Sequence, residues 1–413
     1  MPKNTNKYLF FFLYSIIPLS LIIGNASINI NIILIDLLFI YECFKFKNFN
    51  FIREKIFLFL ICIWIFLIIN SIININETNE SYDGLMRSLN LIRFIIFVYA
   101  SDYFLKKFNS VRKKILVSWT IILSIIFFDI FFEKIIGHNI IGIVSPSAER
   151  ISSFFGEELI VGAFMLGFGF IISAFLLKNS EKLTYIKKIF SNLFLILVPF
   201  AIFVTGERSN YIKSLIIFAL LLFFINKRFL LLKKKIILIL SVILIFISII
   251  LSKNILNRQI AIFEQLNVID KIGIVQKIKN IQYGEHYLLA WSIFLENKWL
   301  GIGTKNFRYV CNNQKYIDKY PRGCTTHPHQ LYFELLCEQG IIGFIIFLSF
   351  FIFVLVKNCK IYINNKNLYH LTPFLFYIAF LIPLLPSGSF FSTFNASLFW
   401  LNFSLMNHYS KKI

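Results

Sequence analysis

The sequence predicts an all-α polytopic membrane protein of about twelve transmembrane helices with one large helical extracytoplasmic loop. Three observations predict it. Hydrophobic residues make up 58% and aromatic residues 18% of the 413, with a mean hydropathy of +0.74. A soluble domain cannot bury that much apolar side chain, because its own surface would have to be apolar. Apolar runs of membrane-spanning length recur along the whole chain, and the charge of the segments between them alternates.

The runs begin near Tyr8, Ile28, Lys55, Ser88, Ile115, Leu159, Ile189, Ser209, Ile236, Leu331, Leu371 and Phe390. The first follows basic residues and precedes small ones, like a signal peptide. With span after span behind it, it reads as an uncleaved first helix. Basic clusters at 45–55, 106–114, 178–188, 227–235 and 357–366, and Lys411 with Lys412, all fall on one side if Met1 starts in the cytoplasm. The acidic 74–84 loop falls on the other. This positive-inside pattern puts both termini in the cytoplasm and explains most of the net charge of +21 without nucleic acid.

The same register divides the chain into an N-terminal transmembrane bundle at 1–252, an extracytoplasmic loop with amphipathic helices at 253–330, and C-terminal transmembrane helices at 331–413. Together they form one integrated membrane domain. The 253–330 loop carries eleven basic against five acidic residues. Either this is a solvated surface or it is a site for a large anionic group. Arg150, before the sixth span, and Arg208, in the Gly-Glu-Arg-Ser turn between two spans, lie on the same outer side. Arg93 lies more than a turn into an apolar run. Arginine at membrane depth is costly enough to suggest function, with snorkelling or a structural ion pair as the plainer reading. Paired guanidinium hydrogen bonds match phosphate oxygens, so Arg150 and Arg208 are candidate contacts for a lipid-linked diphosphate.

The six cysteines show no CxxC pair or zinc spacing. Cys311 and Cys324 share the outer loop, an oxidising environment on this topology, and are expected to form a disulfide contributing roughly 3 kcal/mol by loop-entropy reasoning, with two free surface thiols as the alternative. No Asp-x-Asp or acidic cluster marks a metal site in the outer loops, and no cofactor is expected. His327 and His329, two apart without an acid, make a poor metal pair. GIGTKNF, at 301–307, lacks the Gly-Lys-Ser/Thr of a phosphate loop.

The stretch CTTHPHQLYFELLCEQGIIG, Cys324 to Gly343, organises the functional reading. Proline favours a helix start, so His327 ends the loop and His329 sits in the opening turn of the next helix. Gly340 and Gly343 would let a neighbouring helix approach closely. A titratable imidazole at the mouth of a cavity is a candidate general base; a capping or interfacial histidine is the bland alternative.

His329-Gln330, nine residues, then Gly340-x-x-Gly343 resembles the signature of the O-antigen ligase and polymerase superfamily. The resemblance implies a membrane glycosyltransferase using a polyprenyl-diphosphate-linked glycan, without metal, at the periplasmic side of the bacterial inner membrane. It implies that His329 is the base, that Arg208 is one diphosphate contact, and that a second arginine lies in the big loop. Arg308 and Arg258 compete for that second role, with His286 near it. GIGTKNF resembles the family's Gly-x-Gly segment. The favoured reaction moves a glycan from undecaprenyl diphosphate to a lipid A-core acceptor. An O-antigen polymerase or a protein oligosaccharyltransferase are alternatives within the class. A lipid-linked sugar flippase would instead need polar groups near mid-bilayer and broken helices.

Overall fold

The computed structural model describes residues 5–78, 80–180, 185–225 and 283–411, with 230, 239, 240 and 243. Arg258, most of the expected span near Ile236 and the amphipathic segment at 254–272 lie outside the described residues. The described chain is helical and contains no strand. In its first half come α1 (Thr5–Ser15), α2 (Ile17–Ile23), α3 (Asn25–Phe46), α4 (Lys55–Ile73) and α5 (Ser81–Asn90). They are followed by α6 (Ile92–Lys107), α7 (Asn109–Ile136), α8 (Val161–Ser180), α9 (Tyr185–Val204) and α10 (Arg208–Phe224). In the second half, α11 (Gly284–Glu296), α12 (Phe307–Val310) and α13 (Gln314–Lys319) precede α14 (Leu331–Asn365), α15 (Leu368–Phe380) and α16 (Thr393–Ser410).

Among the described residues, six helices are long and apolar enough to cross a membrane, or seven if α1 and α2, bent by 47°, form one span. This is fewer than the expected twelve. Part of α9 and all of α15 are apolar but short. The α16 helix is too polar to qualify, and its burial explains why: every residue but Asn395 is buried. A helix enclosed by protein has no lipid to satisfy and can carry asparagine and serine where partners exist. Asn402 Nδ2 donates to the Gly167 carbonyl of α8 at 3.1 Å.

Between α10 and α14, α11 to α13 gather a small apolar core of their own. It includes Leu289, Ile293, Ile302, Phe307 and Tyr316, and it is closed against Cys337 of α14. Cys311 and Cys324 are joined by a disulfide there, with Cα atoms 5.1 Å apart.

The 298–303 backbone docks on a break in α14. Gly340 has φ 63 and ψ −171 within an otherwise helical run. Its neighbour is loop backbone and not the helix expected from the sequence: a Cβ at Gly340 would stand 2.3 Å from the Trp299 carbonyl oxygen. The amides of Ile341 and Ile342, freed by the break, donate to the carbonyls of Lys298 (2.8 Å) and Trp299 (3.3 Å). At Gly343, a Cβ would stand 2.7 Å from the Phe66 ring of α4.

Candidate active site

Gln330, and not His329, opens α14. Its side-chain oxygen accepts from the amides of Tyr332 (2.8 Å) and Phe333 (3.0 Å), closing two of the orphan donors at the helix start. The loop therefore runs through His329, two residues past the end at His327 that the proline suggested. His329 sits in it with φ 57, a left-handed backbone unusual for a residue with a Cβ. Such strain persists only where surroundings hold it. Here the Ser387 amide holds the His329 carbonyl at 2.8 Å.

The His329 ring packs among Tyr283 (centroids 5.0 Å apart), His286 (5.2 Å) and His327 (4.1 Å). Burial, with His286 adding to it, pushes the His329 imidazole down to about 4. Burial also pushes His327 down, to about 3, with His329 and Lys305 contributing. Both rings are neutral at pH 7, so each retains a lone pair.

These histidines open on a cavity of about 1540 Å³. Arg150, Arg208, Lys213, Lys305 and Arg308 also line it, with Glu158 and Glu207 as acids. Another part of the wall is apolar, formed by residues such as Leu21, Ile22, Ile160, Phe376 and Leu398. The cavity lies at the starts of α3, α8, α10, α14 and α16. The opposite ends of four of these helices lead to Lys47, Lys178, Lys366 and Lys411.

Arg208 is the first residue of α10, behind Glu207. A cation there opposes the helix dipole, but helix-start amides and a guanidinium together attract an anion. Gly206 makes the turn possible. Its φ is 74, and a Cβ would stand 2.4 Å from the Glu149 carbonyl oxygen. Buried Glu207 accepts from Gly162 and from Asn210 Nδ2 (2.6 Å). Burial raises the Glu207 carboxyl above its usual range against the pull of Arg150. Arg150 also donates to the Leu159 carbonyl. Arg308 has a buried Nε with no hydrogen-bond partner among the described residues.

The structure thus brings His329, Arg150, Arg208 and Arg308 to one cavity and leaves His286 off its wall. His286 Nδ1 donates to the Gly323 carbonyl at 2.8 Å, and neighbouring Glu285 pairs with Arg322 at 2.8 Å. Both contacts tie α11 to residues 322–323, in the loop that leads to His327 and His329.

Sequence reasoning missed the loop between α15 and α16. The Pro386 carbonyl accepts from Ser209 Oγ and, at 3.4 Å, from Lys213. Ser387 holds both histidines, and Ser389 Oγ accepts from Lys305 Nζ at 2.5 Å. Pro-Ser-Gly-Ser between apolar runs signals a turn, with nothing local to mark a site. Among the described residues, no group of three His, Cys, Asp or Glu side chains is arranged to hold a metal ion.

These features define a multi-pass, all-helical membrane protein whose cavity joins an apolar wall to converging cations and a neutral imidazole, the chemistry of an amphiphilic anion site. Residues 193–348 match the O-antigen ligase family, and the match supports membership of the O-antigen ligase and polymerase superfamily. That family implies a membrane glycosyltransferase-like enzyme acting on lipid-linked glycan and acceptor substrates in general. No curated protein matches the chain.

Proposed function

We propose that this protein transfers a glycan from an undecaprenyl-diphosphate carrier to a lipid A-core acceptor, as an inverting, metal-independent O-antigen ligase of the bacterial inner membrane. One observation carries the reading: His329, Arg208 and Arg308 line a single cavity that also has an apolar wall. An isoprenoid tail suits the apolar side, and a diphosphate suits the guanidiniums. The lysine-rich helix ends would face the cytoplasm and the cavity the periplasm.

In this reading His329 takes the proton of an acceptor hydroxyl as that oxygen attacks the anomeric carbon. The bond between that carbon and the phosphate oxygen breaks, and its electron pair leaves with the diphosphate, whose charge the arginines stabilise. Inversion follows from a single displacement with no protein nucleophile. Arg150 donates to the Leu159 carbonyl and acts electrostatically on Glu207, so it shapes the wall and adds to the positive field. Arg258 remains a candidate for the second phosphate contact.

The test is reconstitution in proteoliposomes with purified undecaprenyl-diphosphate glycan and, separately, lipid A-core or a second lipid-linked glycan. Capping of lipid A-core is the expected result. Elongation of the lipid-linked glycan alone would make the protein a polymerase, and movement of donor across the bilayer without transfer would make it a flippase.

A further inference from the structure

Lys305 is 5% exposed, yet it lines the cavity. Its backbone has φ 64, a strained setting for a lysine. The GIGTK turn that imposes this setting is clamped to α14: the Ile302 and Gly303 amides donate to the carbonyls of Cys337 (3.0 Å) and Glu338 (2.9 Å). Ser88 Oγ and Gln339 Nε2 donate to Thr304 Oγ1 at 2.9 and 3.1 Å. The Lys305 amide itself donates to Glu338 Oε2 at 2.8 Å. The ammonium donates to Ser389 Oγ at 2.5 Å, and Ser389 in turn donates to Glu334, which also accepts from the Phe390 amide at 2.8 Å.

An ammonium has three N–H donors. Ser389 uses one, and the described residues supply no other hydrogen-bond partner. Burial lowers the lysine below its ordinary range, with Glu334 and Glu338 working against that shift. A desolvated cation with unused donors at a cavity wall is costly unless a ligand completes it. Lys305 shares the cavity wall with His327 and His329, and both Lys305 and Arg308 act electrostatically on His327.

We propose that Lys305, aimed by Ser389 and Glu334, contacts the sugar-bearing phosphate of the donor and stabilises the charge that develops there as the glycan departs. This rests on the transferase reading above. Cleavage of the glycosidic bond leaves its electron pair on that phosphate oxygen while the acceptor proton goes to His329. The added charge exists fully only after transfer, so a cation directed at it stabilises the transition state more than the ground state.

Full-length protein in detergent is titrated with undecaprenyl diphosphate and with undecaprenyl monophosphate, read by tryptophan fluorescence, since Trp291 lines the cavity. Lys305→Met alone leaves Glu334 buried without its cation, so the decisive variant is Lys305→Met with Glu334→Gln. That double variant is expected to bind the diphosphate about tenfold or more weakly, with monophosphate affinity within about threefold of wild type. Ser389→Ala, which keeps every charge but withdraws the aim, is expected to lose part of the same preference and serves if the double variant does not fold. Unchanged diphosphate affinity would mean that Lys305 only balances Glu334 and would overturn the proposal. Equal weakening toward both lipids would also overturn it. Failure of wild-type protein to bind either lipid would instead sink the transferase reading.

Discussion

The imidazole rings of His327 and His329 lie 4.1 Å apart, centroid to centroid, yet only His327 has both nitrogens engaged. Its Nε2 faces the Ser387 carbonyl at 3.3 Å, and a carbonyl can only accept, so that nitrogen carries the proton. Nδ1 then accepts from Thr326 Oγ1 at 3.0 Å. The ring of His329 makes aromatic contacts and no hydrogen bond among the described residues. Of the two, His329 is the one able to take a proton from a substrate.

The two histidines should therefore respond differently to substitution. His329→Ala is expected to lower transfer by about 10²–10⁴-fold while undecaprenyl-diphosphate binding and membrane insertion persist. His327→Asn should cost less, because it disturbs a hydrogen-bonded neighbour and not the base. Single-turnover transfer assays decide this; wild-type rates in His329→Ala would remove the base assignment.

The acid limb of the pH profile follows from the same geometry. A free-enzyme base held near 4, below its ordinary 6.5, stays competent well below pH 6. The acid limb of kcat/KM should accordingly fall close to pH 4. Between pH 6.5 and about 3 the unfolded chain binds protons that native His327 and His329 refuse. The histidine contribution is therefore complete above pH 6.5 and is lost as pH falls through this window. Melting temperatures across that range should drop less steeply in a His327→Asn/His329→Asn variant.

Arg208 should act on the donor. Arg208→Gln is expected to raise the donor KM or Kd by about tenfold or more, the weight of a charge-assisted hydrogen bond. Unaltered affinity in a lipid-binding titration would take Arg208 out of the phosphate site.

The Cys311–Cys324 disulfide closes the segment that leads into the histidine loop. Replacing both with serine should cost about 2–4 kcal/mol of stability in that region. Mass spectrometry of unreduced protein should find neither cysteine alkylated, and thermal melting should show the loss.

Gly340→Ala joins two penalties, since φ is 63 and the new Cβ would meet Trp299 backbone. A loss of about 1–3 kcal/mol or more is expected from the conformation alone. Because the displaced loop carries Lys305, donor binding should fall with the melting temperature.

Much of the molecule could be read before any fold was known. Apolar runs marked most helices because burial in lipid or protein is written residue by residue. Alternating charge separated the lysine-rich ends from the end that bears the cavity, and the spacing from His329 to Gly343 pointed to the family. The reading failed where local signals compete. Proline argued for a helix start at 328, whereas Gln330 supplies the cap. A glycine pair suggested helix packing, whereas at Gly340 a loop backbone occupies the space. The polarity of α16 concealed a helix that protein, and not lipid, surrounds.

By itself, then, the sequence determined an all-helical membrane chain, its charge asymmetry and the identity of a histidine motif, because composition and periodicity act over neighbouring residues. Only the tertiary structure decided which cations share a cavity with His329, that His286 stands behind it, and that Lys305 and Ser387 belong to it. Those relations depend on helix ends far apart in the chain. Ser209 and Pro386, for instance, are bonded across 177 positions, and no local pattern encodes a contact that packing alone creates.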